Sequence, residues 1–147
     1  MTMARDLAQH EPSPRRGFTV VGDHITEIGP VVVRVDGSPE SYRALRAAAE
    51  VAMARSCGVV VLDYEGATRF HGLEERDRST AGAILRNSNV SVIATALEDI
   101  EVLTRRCLEL RASMLVLGQR DFGDLESNPN LIARLANEGL DLLLVAH

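Results

Sequence analysis

Two short stretches set polar residues and glycines directly after apolar runs. In "VVVRVDGSPE" (31–40), Asp36, Gly37 and Ser38 follow five residues of strand character. In "MLVLGQRDFG" (114–123), Gly118 ends an apolar run and Gly123 follows five residues later. Glycines at such points let backbone N–H groups approach phosphate oxygens, and Asp36 and Ser38 add a carboxylate and a hydroxyl to the same region. Each residue also has a structural duty. Ser38 is a good helix N-cap, Gly37 serves turn geometry, and Asp36 can accept the N–H groups of its own turn. The other reactive side chains make no constellation. His10, His24, His71 and His147 share no metal-ligand spacing. Cys57 and Cys107 have no CxxC partner and no credibly placed histidine base, and they read as small buried apolar residues. With no acid–base pair or nucleophile in evidence, the chain is not expected to be an enzyme.

The elements that would position these residues alternate along the chain. "VVVRV" (31–35), "VVVLDY" (59–64), "VSVIATA" (90–96), "MLVLG" (114–118) and "LDLLLVAH" (140–147) read as strands. Their near-continuous apolar character suits burial on both faces of a parallel sheet. A helix starts at Ser38–Pro39, presents Tyr42, Leu45, Ala49, Ala52 and Met53 on one face, and stops at Gly58. "LEDIEVLTRRCLELRAS" is a second helix, aligning Ile100, Leu103, Cys107 and Leu110. A third, 130–139, carries Leu131, Ile132 and Leu135 and closes at Gly139. Residues 65–89 are polar and offer one helix at most, with Leu73, Ala81, Ile84 and Leu85 as its thin apolar face. Residues 118–130 read as a loop. Strands alternating with helices imply right-handed crossovers and an α/β fold of about five parallel strands, with helices on both faces. Residues 1–17 read as a flexible tail and 18–147 as a single domain. Within it, 18–29 is either an extra edge strand or a hairpin.

Composition narrows the function classes. The chain has 147 residues, 16 basic and 21 acidic, for a formal charge of −5, and aromatics make up 3%. An acidic chain with no basic stripe is not a nucleic-acid binder. No apolar stretch nears the length of a membrane span. The twin arginines at 15–16 precede a segment broken by Asp23, His24 and Glu27, which argues against an export signal. Two isolated cysteines fit reduced thiols, and the expected compartment is the cytoplasm.

The segment "VVVRVDGSPESYRALRAAAEVAMARSCGVVVLDY" (31–64) resembles the opening of a universal stress protein domain. "LTRRCLELRASMLVLGQRDFG" (103–123) resembles that family's helix leading into its fourth strand, and "LDLLLVAH" its closing strand. The resemblance spans 31–147. It implies a three-layer open sheet of order 3-2-1-4-5, with the "DGS" and "GQRDFG" segments meeting at the reversal of strand order. It also implies that Asp36 lies near any bound nucleotide, and that many members dimerise through antiparallel pairing of their last strands.

The family's phosphate loop reads glycine, two residues, glycine, nine residues, glycine, then serine or threonine. Counting from Gly118 puts Asp121 at the second glycine and Leu131 and Ile132 at the final pair. Counting from Gly123 as the second glycine puts Ala133 and Arg134 there instead. Residues 119–128 hold Asp121, Asp124 and Glu126 against Arg120 alone. Each close like-charge contact with a polyphosphate costs roughly 1 kcal/mol in water.

The leading expectation is therefore a non-catalytic regulatory or interaction module of this type. It would be homodimeric through its C-terminal strand, open to an unknown protein partner, and without a required cofactor. The alternative is an adenine-nucleotide binder that takes ATP or AMP with altered contacts from Asp36, Gly37, Ser38, Gly118, Gly123 and the backbone near Val61 and Leu62. A small enzyme of the adenine-nucleotide-binding α/β group is the third reading.

Overall fold

The computed structural model describes residues 17–21, 24–96 and 99–145. The strands are β1 (Gly17–Val21), β2 (His24–Ile28), β3 (Val31–Val35), β4 (Val59–Tyr64), β5 (Val90–Thr95), β6 (Met114–Leu117) and β7 (Asp141–Leu144). The helices are α1 (Pro39–Arg55), α2 (Glu75–Leu85), α3 (Ile100–Glu109), α4 (Gln119–Glu126) and α5 (Pro129–Asn137), with a 3₁₀ turn at Ala67–Arg69. β3 to β7 form one sheet of order β5-β4-β3-β6-β7, and every ladder in it is parallel. Counted among themselves, these five strands run 3-2-1-4-5. β1 and β2 pair antiparallel in a separate two-stranded sheet. β1 and β2 thus pair as a hairpin and do not extend an edge of the main sheet. The expected tail lies outside the described residues apart from Gly17, which begins β1.

The central strand shows why the sheet is parallel and covered. Val31, Val32, Val33 and Val35 are all fully buried, so both faces of β3 are packed. On one face, α1 and α2 cover Val31, Val33, Val35, Val59 and Val61. On the other, Leu103 and Cys107 of α3, Leu125 of α4 and Leu135 of α5 pack against Val32, Leu62, Leu115 and Leu117.

α1 begins as expected. The Ser38 side chain accepts the Ser41 N–H at 3.1 Å, and Pro39 takes the first helical position. It ends three residues before Gly58, because Ser56 turns left-handed (φ 55°) and its N–H reaches the Ala52 and Met53 carbonyls. The buried stripe runs through Ser41, Tyr42, Ala44, Leu45, Ala48 and Ala52. Met53 was expected on this stripe but is 79% exposed. It follows Ala52 by one residue, a rotation of about 100° that carries it off the buried face.

Residues 65–89 give the short α2, whose one fully buried residue is Ala81, while Leu73, Ile84 and Leu85 are half-buried. Phe70 packs edge-on against Tyr42, with ring centroids 6.0 Å apart.

The largest departure from expectation is at 118–130. Most of this segment is a helix, α4, which Ser127 and Asn128 join to α5, the third helix expected above, beginning at Pro129. Gly123, expected in a loop, is inside α4. A glycine there costs about 1 kcal/mol of helix propensity. Full burial of Leu125, with Phe122 packed beside it, offsets that.

Candidate functional site

The reversal of strand order falls between β3 and β6, so Asp36 and Gly118, the residues after these strands, are brought together. They line one small cavity of about 100 Å³ with Arg34, Ser38, Glu40, Ser41, Arg120 and Asp121. It lies beyond the carboxyl ends of the strands, where open α/β sheets bind ligands.

Three contacts fill the mouth of this crevice with the protein's own charges. Arg34, projecting from β3, pairs with Asp121 of α4, and their side chains are 8% and 14% exposed. Arg120 of α4 reaches the Asp36 carboxylate at 3.2 Å. Glu40, in the first turn of α1, accepts the backbone N–H of Arg120 at 3.2 Å through Oε2. The Glu40 carboxylate also lies over Gly118, where an added Cβ would run into it. Glu40 thus stands at the N-terminus of α4, where unsatisfied N–H groups and the helix dipole attract an anion.

The two aspartates titrate in opposite directions. Burial pushes Asp36 up. The Ser38 hydroxyl (2.6 Å) and backbone N–H (3.0 Å), with smaller help from Ser41 and Arg120, outweigh burial and hold it below its usual 3.8. Burial also pushes Asp121 up, and the nearby Asp36 charge adds to that. Arg34 and Arg120 offset only part of the rise, so Asp121 stays above the usual value.

The remaining candidates scatter. Gly37 turns left-handed (φ 87°) between Asp36 and Ser38 and serves the turn. Val61 and Leu62 are buried in β4, and neither lines the cavity. Gly123 is one turn into α4, away from the lining. Cys57 and Cys107 are free and buried, and burial pushes the Cys107 thiol up to about 12. Among the described residues no group of three or more His, Cys, Asp or Glu side chains could hold a metal ion. No described helix is long and apolar enough to cross a membrane.

Reasoning from sequence missed Arg34 and Glu40. One signal for Arg34 was available, since a lone arginine inside an otherwise apolar, doubly covered strand requires a buried counter-charge.

No family model matches the chain, and no curated protein matches it. Solved structures do. A universal stress protein crystallised with cAMP superposes with a TM-score of 0.54 at 21% identity, over 81% of this chain and 97% of that one. A universal stress protein from Archaeoglobus fulgidus gives 0.49 at 22% identity, over 79% and 92%. The universal stress protein from the same organism in complex with dAMP gives 0.46 at 22% identity, over 79% and 96%. The first of these shows that the chain has the universal stress protein fold.

Proposed function

We propose that this chain is a non-catalytic regulatory or interaction module of the universal stress protein type, whose crevice does not take ATP through a glycine-rich loop. The observation that carries this reading is Glu40 at the entrance to α4. Its carboxylate accepts the Arg120 N–H that a phosphate oxygen would otherwise receive. The guanidinium groups nearest that position are engaged as well, Arg34 by Asp121 and Arg120 by Asp36. The remaining space of about 100 Å³ compares with roughly 300 Å³ for the smallest ordinary small-molecule sites. The Ser38 hydroxyl in the lining donates to Asp36 at 2.6 Å and accepts the Ser41 N–H as the cap of α1, a structural engagement that supports a role without bond-making chemistry. On this reading residues 18–147 act as one unit, together with Gly17, which begins β1.

The second reading, adenine-nucleotide binding, draws on the cAMP-bound protein of the same fold. It requires α4 to shift so that Asp36, Ser38 and Gly118 face the ligand. One experiment separates the two. The purified protein is denatured and its supernatant resolved by chromatography, and intact protein is melted with ATP–magnesium, AMP and cAMP. A ligand at 100 times its dissociation constant adds about 2.7 kcal/mol, a shift of several degrees for a domain of this size. We expect no co-purified adenine nucleotide and no shift. Nucleotide in the supernatant, or a shift of several degrees, would overturn the first reading.

A further inference from the structure

A second recess lies at the opposite end of the sheet from the crevice. It opens between the C-terminal halves of α1 and α2 and has a volume of about 470 Å³, well inside the range of small-molecule sites. Small residues create it. Ala49 and Ala52 on α1 face Ala83 on α2, so the helices leave space where larger side chains would have met. Cys57, Val59 and Val90, where β4 and β5 begin, line the recess as well. Met53, 79% exposed, stands on its wall.

The chemistry of the lining selects a ligand. None of the lining residues carries a charge, whereas the crevice is lined by five charged side chains. A charged group entering apolar walls without a counter-charge would lose its hydration uncompensated. The polar side chains are neutral: Ser56, Asn87 and Asn89. Asn87 Oδ1 accepts the Asn89 N–H at 2.9 Å. Among the described residues the Asn87 amide nitrogen and the whole Asn89 side-chain amide have no protein partner, which leaves donors and an acceptor free for a ligand.

A flat protein partner fits less well. The exposed large apolar side chains among the described residues are Met53, Val92 and Leu144, on three separate elements. Val92 and Leu144 lie on opposite edge strands and Met53 on α1, so they do not form the contiguous apolar patch of roughly several hundred Å² that marks a protein-interaction site.

We propose that this cleft is a binding site for an uncharged, mainly apolar small molecule carrying one hydrogen-bonding group. The apolar body lies among Ala49, Met53, Ala83 and Ile84, and the polar group meets Asn87 and Asn89. The site is independent of the crevice and of whether nucleotide enters there.

N-phenyl-1-naphthylamine, a neutral aromatic amine that brightens in apolar surroundings, serves as the probe on the full chain. We expect saturable one-to-one binding, unaffected by millimolar ATP. Ala83→Trp, which fills the cleft from an exposed position, should weaken it at least about tenfold. Met53→Glu, also at an exposed position, should weaken it without changing the melting temperature, which separates loss of the site from loss of folding. Val92→Lys should leave binding intact. Non-saturable fluorescence, or affinity unchanged in both cleft variants, would overturn the proposal. So would a dimeric mass in light scattering that falls to monomer with Ala83→Trp, which would assign the cleft to a second copy of the chain.

Discussion

Asp121 is held between opposing charges, because it is buried, faces Arg34, and has Asp36 nearby. Losing the carboxylate of a buried ion pair leaves the facing guanidinium's charge less compensated. Asp121→Ala is expected to cost about 3 kcal/mol, read as a lower urea midpoint at unchanged slope. Asp121→Asn keeps an oxygen acceptor for Arg34 and should cost less. The pH dependence follows from the two directions of shift. Asp121 lies above its usual 3.8 in the folded chain, so the fold takes up this proton before the unfolded chain does. Stability from this group therefore grows as pH falls from neutrality towards 4, and the native chain should gain on Asp121→Asn across that window. Asp36 lies below 3.8, so its contribution is present above that value and is lost as pH falls through its lower folded value. The advantage of the native chain over Asp36→Asn should shrink below about pH 3.8. Urea melts of the three proteins at pH 7, 5.5, 4.5 and 3.5 test both signs.

Among the elements, the join between hairpin and sheet is the most sterically exacting. A Cβ at Gly29 would run into the Arg111 carbonyl oxygen in the turn after α3. The same turn is tied down by the Ser113 hydroxyl donating to Gly29 O at 2.8 Å and the Ser113 N–H donating to Pro30 O at 2.9 Å. Gly29→Ala must displace backbone, at a cost of about 2 kcal/mol, and should lower the melting temperature by about 5 °C. Gly72→Ala, with nothing within 4 Å of the added carbon, is the control.

The strands and α1, α3 and α5 were legible in the sequence because their apolar runs and spacings report directly on burial. α4 was not. Gly123 and three carboxylates in ten residues read as loop, while the features that make it a helix lie elsewhere in the chain. Leu125 needs the sheet face to pack on, and Asp121 needs Arg34. The location of the crevice was readable from strand order, but its contents were not. Glu40 sits in the first turn of α1, and only α4 set against it gives its carboxylate the Arg120 N–H to accept.

For the whole molecule, assembly turns on the outer edge of β7, which no described strand pairs. Asp141 N–H and Val145 N–H both point inward, donating to Ser113 O and Leu117 O. By strand alternation the N–H groups of Leu142 and Leu144 point out to the unpaired edge. The hairpin belongs to a separate sheet and does not pair with this edge. An unpaired edge with Leu144 40% exposed invites a second strand. We expect an isologous homodimer joined there, giving twice the 16.0 kDa chain mass in light scattering. Leu144→Pro removes an outward donor without touching the β6–β7 ladder and should return the mass to that of one chain. A native mass of one chain at tens of micromolar would dismiss the dimer.

The parallel sheet also has a kinetic consequence. None of its strands meets a partner through a tight turn. Val31 lies against Val59 on one side and Met114 on the other, and Asp141 closes on Met114. Each ladder must wait for a long loop to close before any contact rewards it, which places refolding towards the slow, millisecond-to-second end of the range for single domains. The longest wait is for β6 to reach β3, and the Arg34–Asp121 pair bridges that same junction. The crevice therefore has no existence in a half-folded chain, and its ion pair marks the moment at which the two halves of the sequence have met.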